Sequence, residues 1–440
     1  MTNSYMLIKQ SPPLQGTVEV NGAKNAVLVI MTSLILTNGT STLNNVPNNA
    51  DVRLMISLLQ LLGAHVTFNA EKKQLIVNTE PIGSYEIPPE IMNKIRASIL
   101  VAGPLLARFG RARVAYPGGD LIGLRPINYH LEGFKKCGAT ILHNDPFVEA
   151  TITSQKNSYN RIVLEYPSVG ATENLLMFAS LGTSETVIIN AALEPEVLDL
   201  IDVLKKMGAS IEILPVATIV IKGASKLNPV THSIIPDRLE AGALLAAAAI
   251  TGGHITISNA RASDMDIFLE KLSMMGHAIQ TPFTLGANTP DLGITIKATT
   301  NPIAVGVKTA PYPGFPTDLQ PSFMALLCAA TGTSVIEETV YENRMVHARE
   351  LRKMGAQIAV DGAKATIHGV EELYGTDVIA TDIRASCSLM LAGLIAQGQT
   401  RMTGLHHWQR GYDQLEEKLR ALGANITIEE HSDQMINNAL

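Results

Sequence analysis

Val197-Leu-Asp-Leu-Ile-Asp-Val-Leu-Lys-Lys-Met-Gly208-Ala-Ser-Ile-Glu-Ile213 decides how this chain folds. Val197, Leu200, Ile201 and Leu204 recur at helical spacing and line one face of an amphipathic helix. Gly208 stands where such a helix needs a left-handed residue in order to stop. The alternating Ser-Ile-Glu-Ile that follows reads as a strand. The same unit ends at Gly63-Ala64, Gly138-Ala139, Gly208-Ala209, Gly276-His277, Gly355-Ala356 and Gly423-Ala424, with spacings of 75, 70, 68, 79 and 68 residues. In the first copy Met55, Leu58, Leu59 and Leu62 repeat the helical stripe. The chain is therefore an array of six internal repeats.

Each repeat carries a second helix that is apolar nearly all round: 26–36, 98–107, 174–180, 241–250, 323–330 and 386–396. A helix with no polar face must be buried on every side. Six of them cannot coat one exterior, so they form the interior, with strands and amphipathic helices outside. This predicts an α/β fold of two lobes, an inside-out α/β barrel built from six repeats with buried helices and outer sheets. A doubly wound sheet, with one-sided helices, fits less well because two helix types alternate within each period. Three repeats per lobe place the boundary between Asn228 and Asp237. The expected lobes are 23–236, carrying a mobile loop around Asp120, and 1–22 plus 237–440, carrying Asp318, with the active site in the cleft between them. A strand from Tyr5 to Val20 fits either lobe by pattern alone.

The 440 residues suffice for two or three domains with large cores, and 46% apolar against 17% charged residues excludes a disordered tail protein. A net charge of -6 argues against a nucleic-acid partner. Cys137, Cys328 and Cys387 are too few and too scattered for a disulfide scaffold or a zinc cluster, so we expect a cytoplasmic protein without metal or cofactor. Apolar runs such as Ala241–Ile250 fall short of the ~18 residues that span a bilayer, and the first ten residues carry no secretion signal pattern, so no membrane association is expected.

Four segments are unusual for a scaffold. Asn21-Gly-Ala-Lys24-Asn25 puts an ammonium at the mouth of a buried helix, where backbone N–H groups favour an anion; a solvated lysine in a turn fits the same residues. Tyr116-Pro-Gly-Gly-Asp120-Leu-Ile-Gly-Leu-Arg125-Pro-Ile-Asn128-Tyr-His130 reads as a loop, either a lid over a cleft or an ordinary turn. Arg96 and Arg384 each open a buried helix as Arg-Ala-Ser, and Arg125, Arg344 and Arg410 recur in comparable settings. Guanidinium at such a position is costly unless it meets an anion, although each arginine alone fits a surface ion pair. Asp318 precedes a buried helix within Pro313-Gly-Phe-Pro-Thr-Asp318 and reads either as a helix cap or as a general base.

These motifs, together with Pro167-Ser-Val-Gly-Ala-Thr172, Glu194-Pro-Glu196, Pro236-Asp-Arg238, Glu342-Asn-Arg344, Thr381-Asp-Ile-Arg-Ala-Ser386 and Arg410-Gly-Tyr412, run from end to end of the chain. In that order they resemble the UDP-N-acetylglucosamine 1-carboxyvinyltransferase family of enolpyruvyl transferases. The resemblance implies the EPSP synthase-like fold and two small-molecule partners, phosphoenolpyruvate and UDP-N-acetylglucosamine. It implies addition to a tetrahedral ketal, followed by loss of phosphate. By carry-over, Lys24, Arg125 and Arg410 grip the phosphate of phosphoenolpyruvate, Arg344 and Arg384 meet the carboxylate of the ketal or make the closing contacts, and Arg96 and Asn25 complete the anion pocket and orient the sugar. Asp318 matches the base for the sugar 3'-hydroxyl. Pro126, Ile127, Asn128, Ser168, Val169, Gly170 and Val340 match the lining of the nucleotide groove.

Two departures stand out. Most members of the family carry Cys where this chain has Asp120; that residue is the general acid toward the enol and the target of fosfomycin. A carboxylic acid still delivers a proton but is not a soft nucleophile, so the resemblance implies an active, fosfomycin-resistant enzyme. Asn128 and Leu193 also differ from the usual acidic and basic residues. The competing readings are 3-phosphoshikimate 1-carboxyvinyltransferase and a non-catalytic nucleotide-sugar binder.

Overall fold

The computed structural model describes residues 4–152, 158–282 and 292–430. The six amphipathic helices are Ala50–Leu61, Asn128–Lys136, Pro195–Met207, Asp266–Met274, Ala348–Lys353 and Leu415–Ala421. Every one ends near its expected glycine, and those six glycines have φ between +93° and +118°. Only a residue without Cβ enters that region freely, which is why the repeat keeps glycine there.

The second helix of each repeat is Lys24–Ser33, Ala102–Phe109, Val169–Ser180, Arg238–Thr251, Gln320–Cys328 or Ile383–Ile395. These are interior elements: every residue from Leu239 to Ala249 and from Ile383 to Leu394 is buried. Close approach depends on small residues. A Cβ on Gly133 would lie 2.5 Å from Leu175 Cδ2, and one on Gly242 would lie 2.6 Å from Leu319 Cδ2. Burying one Leu side chain contributes about 1.5–3 kcal/mol, so these contacts favour the bare glycine.

The described strands form six separate four-stranded sheets and do not join into one closed barrel. One pattern recurs. Tyr159–Val163 runs parallel to Glu185–Ile189, which pairs antiparallel with Thr218–Lys222, which pairs antiparallel with Ser210–Leu214. In two repeats the short parallel edge strand comes from elsewhere in the chain. Thr231–Ser233 flanks Thr40–Asn44, and Gln15–Val18 flanks His254–Arg261. The N-terminal stretch expected as one strand is two, Ser4–Lys9 and Gln15–Val18, in different sheets. Pro12 and Pro13 between them have no N–H to extend a ladder. Ser4–Lys9 sits between Gln399–Thr403 and Ile426–Glu430 in the sheet of the last repeat.

The chain divides into two compact units, each around its own apolar cluster. The first holds the residues up to Val20, Leu121–Leu124, and those from Pro236 on; the second holds Asn21–Asp120 and Arg125–Ile235. At Val20/Asn21 and again at Ile235/Pro236 the chain changes unit between an edge strand and the buried helix that follows it. The repeat pattern in the sequence thus continues across both crossings while the sheets exchange their opening strands.

Candidate active site

In the unit of residues 21–235, the turn before Lys24–Ser33 is pressed against the chain at Asn45. A Cβ on Gly22 would fall 1.8 Å from the Asn45 carbonyl oxygen, so no other residue fits. This fixes Lys24 at the helix mouth, buried, with Nζ 3.3 Å from Asp51 Oδ2. Asp51 lies in the first turn of Ala50–Leu61, where helix polarity favours a carboxylate. The carboxylate gives the buried lysine nitrogen a partner of opposite charge. Asn25, the next residue, is exposed.

Arg96 opens a 3-10 segment, Arg96–Val101, that leads into Ala102–Phe109. Its guanidinium donates to the carbonyl of Arg125, which itself sits in the left-handed region with φ +45°. The double glycine of the loop is explained here. Gly118 N–H donates to Met92 O at 3.1 Å, and a Cβ on Gly118 would meet Asn93 O at 1.8 Å. A Cβ on Gly119 would meet Arg96 Cβ at 3.0 Å. The loop is therefore laid directly onto the start of the arginine-bearing segment, with half-buried Asp120 next in line. Leu121–Leu124 group with the other unit, where Asn343 N–H donates to Ile122 O at 3.0 Å.

Pro126 and Asn128 are exposed and Ile127 is buried, at the entry of Asn128–Lys136. Ser168 caps Val169–Ser180 by accepting from Ala171 N–H, leaving half-buried Val169 and Gly170 at the first turn. His130, Arg96 and Gly170 come together around that helix start. Leu193 is half-buried beside Glu194 and Glu196. Glu173 is buried, and desolvation, followed by the charges of Glu196 and Glu194, pushes its carboxyl well above the ordinary value.

In the other unit Asp318 is not a helix cap. It lies in the 3-10 turn Thr317–Leu319, and the helix Gln320–Cys328 starts without a side-chain cap. Its two oxygens are taken by arginines: Oδ1 by Arg344 Nη2 at 2.7 Å, Oδ2 by Arg384 Nη2 at 2.9 Å and Nε at 3.2 Å. Both guanidiniums are buried, while the Asp318 side chain keeps 27% of its exposure. Arg384 follows Asp382, whose carboxylate caps Ile383–Ile395 by accepting from Arg384 and Ala385 N–H. Burial works against the Arg384 charge, but Asp318, Tyr412 and Asp237 outweigh it and raise its pKa. Arg410 is half-buried at the end of Leu405–Gly411; a Cβ on Gly411 would lie 2.2 Å from Ile383 Cγ2, so the glycine lets this helix seat against the start of the preceding helix, Ile383–Ile395.

Sequence reasoning missed Glu338. Buried, it accepts from the hydroxyl of Thr309 at 2.9 Å, that of Thr317 at 3.0 Å, and the N–H groups of Val340 at 2.9 Å and Tyr341 at 3.2 Å. It thereby fixes half-buried Val340 and the turn carrying Asp318. Its only sequence signal was a Glu at a strand end, too common to single out. A metal-like trio, Asp199, Asp202 and His232, is present. Lys206 Nζ already lies 2.6 Å from Asp202 and 3.0 Å from His232 Nδ1, which supplies that cluster with its cation. The three cysteines are buried thiols, and burial pushes Cys328 up to about 12. No described helix is long and apolar enough to cross a membrane.

The sequence profile of the family described as EPSP synthase (3-phosphoshikimate 1-carboxyvinyltransferase) matches residues 8–419. The chain is 44% identical over 420 residues to UDP-N-acetylglucosamine 1-carboxyvinyltransferase 1 of Caldanaerobacter subterraneus, covering 96% of this chain and 98% of that one. It is 46% identical over 421 residues to UDP-N-acetylglucosamine 1-carboxyvinyltransferase of Desulfosudis oleivorans, with the same coverage. Among solved structures, the enolpyruvyl transferase NikO from Streptomyces tendae matches with a TM-score of 0.87 at 24% identity, covering 98% of this chain and all of that one. EPSP synthase from Acinetobacter baumannii matches with a TM-score of 0.74 at 16% identity, covering 97% of this chain and all of that one. The two structural likenesses establish the fold.

Proposed function

Because the chain belongs to the EPSP synthase family, in its UDP-N-acetylglucosamine 1-carboxyvinyltransferase branch, we propose that it moves the enolpyruvyl group of phosphoenolpyruvate onto the 3'-hydroxyl of UDP-N-acetylglucosamine and releases phosphate. This is the committing step of peptidoglycan precursor synthesis. The observation that carries the reading is the Asp318 carboxylate held between two buried arginines. An incoming substrate carboxylate competes for the same guanidinium forks and frees Asp318 to accept a proton.

On this reading Asp120 gives a proton to the enol methylene while the 3'-oxygen bonds to the adjacent carbon and Asp318 takes the hydroxyl proton. The ketal then loses its phosphate as the carbon–oxygen bond breaks, and the methyl group gives back one proton to restore the double bond. Lys24, Arg125 and Arg410 bind the phosphate, Arg344 and Arg384 the carboxylate, with Arg96 and Asn25 completing the anion pocket. Fixed cations of this kind stabilise charge without reorganising during the reaction. Pro126, Ile127, Asn128, Ser168, Val169, Gly170 and Val340 hold the nucleotide sugar.

Phosphate release from phosphoenolpyruvate, measured with UDP-N-acetylglucosamine and with shikimate 3-phosphate, tests the proposal. Release only with the nucleotide sugar is expected. Release only with shikimate 3-phosphate would establish the sister activity, and ligand-induced stabilisation without turnover would establish a binding protein.

A further inference from the structure

His130 lies in the first turn of Asn128–Lys136, with 5% of its surface exposed, and no step above uses it. Its ring is oriented by Asn174, from the interior of Val169–Ser180. The Asn174 amide can be placed in only one way. Gly103 N–H points at it from 2.6 Å and needs an acceptor, whereas the Ile99 carbonyl lies 3.0 Å away and needs a donor. Hence Oδ1 faces Gly103 and Nδ2 faces Ile99, and the second Nδ2 hydrogen points at His130 Nδ1, 3.0 Å away. Turning the amide over would set donor against donor at Gly103 and acceptor against acceptor at Ile99. Nδ1 is thus an acceptor, and the ring proton sits on Nε2.

That Nε2–H has no partner among the described residues. The ring edge faces the start of Val169–Ser180: a Cβ on Gly170 would lie 3.3 Å from Cε1 and 3.5 Å from Nε2. Val169 and Gly170 N–H precede the helix's own hydrogen-bond ladder, so the donor and the positive end of the helix converge. Arg96 acts electrostatically on the same ring. Burial, helped by Arg96, pushes the imidazole down to about 3, as expected of a ring whose Nδ1 is already given a hydrogen by its neighbour.

We propose that His130, locked by Asn174 as the Nε2–H tautomer, is a binding residue that donates a neutral hydrogen bond to a phosphate of the nucleotide sugar at the start of helix Val169–Ser180. The proposal rests on the nucleotide-sugar reading above and extends it. Asn174 acts through His130 and is a positioning residue. A neutral donor differs from the lysine and arginines nearby, because it recognises a phosphate oxygen without adding to the charge that holds the phosphorylated enol.

Two measurements test this. In protein carrying 15N-labelled histidine, the His130 resonances, identified by their loss in H130F, should show a protonated Nε2 and a bare Nδ1 from about pH 5 to about pH 9. An Nδ1–H tautomer or a titrating ring would overturn the proposal. By calorimetry, H130F should lose roughly 10- to 100-fold in affinity for UDP-N-acetylglucosamine and little for uridine, because only the former carries the phosphate acceptor. H130Q, which can place an N–H near the Nε2 position, should recover most of the loss. Equal losses for uridine and the nucleotide sugar, or none for either, would overturn the donor role while leaving the enzyme reading standing. Failure of the wild-type protein to bind UDP-N-acetylglucosamine would overturn both.

Discussion

Arg384 reaches Asp318 through two nitrogens of one guanidinium, Nη2 at 2.9 Å and Nε at 3.2 Å from Oδ2, while Arg344 holds Oδ1 at 2.7 Å. One carboxylate thus faces two buried cations. The guanidiniums also face other carboxylates, Asp382 Oδ1 at 3.9 Å from Arg344 Nη1 and Asp237 acting on Arg384, and the partly exposed Asp318 is the member of the trio nearest to solvent. On the mechanism proposed above, Asp318 stays restrained until a substrate carboxylate takes over its partners.

Replacing Asp318 by Asn should remove the proton acceptor and leave two buried guanidiniums facing a neutral amide. The expected kcat falls by about 10²–10⁴. Folding stability should drop by roughly 1–3 kcal/mol, since hydrogen bonds to charged groups are lost within a buried cluster. Steady-state phosphate release and urea unfolding read the two effects. Full activity in D318N would remove Asp318 from the chemistry.

Asp120 occupies the loop laid onto Asn93–Arg96. A carboxylate is a weaker nucleophile toward an epoxide than a thiolate, and no cysteine lies on the loop. Fosfomycin should therefore leave turnover intact on prolonged incubation, and D120C should be inactivated with time. Rapid, complete inactivation of the natural enzyme at low concentration would contradict this.

Gly118 tests whether the loop's placement matters. With a Cβ aimed at the Asn93 carbonyl from 1.8 Å, Gly118→Ala must lift the loop from its seat. Displacing a catalytic group by about 1 Å can cost 10²-fold, so kcat/KM should fall by about tenfold or more. Stability should stay within about 0.5 kcal/mol because the loop lies outside the apolar clusters. Unchanged kinetics would show that the loop position does not serve the reaction.

The repeat was legible because local rules wrote it six times. Helical stripes such as Val197, Leu200, Ile201 and Leu204 end at a glycine whose φ has to be positive, and each such segment is a helix in the structure. The buried helices were visible from composition, although Arg96 proved to open a 3-10 turn. The exchange of edge strands was not legible. Thr231–Ser233 is three residues long, and its pairing with Thr40–Asn44 depends on chain closure nearly two hundred residues away. Asp318 looked like either a cap or a base because the arginines that decide the matter are 26 and 66 residues distant. Glu338 and Asn174 were invisible for the same reason, and His130 was visible only as the end of a loop although it lies in a helix: their chemistry lies in burial and in partners that no local pattern announces.

Acid should unfold this protein through histidines that are neutral when folded. Burial lowers His277 and His347 to about 4 and His130 to about 3, against 6.5 in an open chain. Between those values the unfolded chain binds protons that the folded one refuses. The contribution of these residues to stability is therefore complete above about pH 6.5 and is lost as pH falls toward about 4. Each histidine adds up to about 1.4 kcal/mol per pH unit to that slope. Glu173 acts in the opposite sense: its raised folded value makes its contribution full below 4.5 and lost as pH rises, so comparison with a single variant is needed to isolate the imidazoles. His277 suits this purpose because Thr299 N–H donates to its Nδ1 at 3.2 Å, far from Asp318 in sequence and outside the proposed substrate contacts. H277Q keeps an acceptor for that N–H but does not titrate. Its urea midpoint should fall less steeply than the wild-type midpoint between pH 7 and pH 5, by about one proton's worth of slope. Parallel curves would mean that His277 takes up a proton in the folded state as readily as in the unfolded one, and would remove it from the acid response.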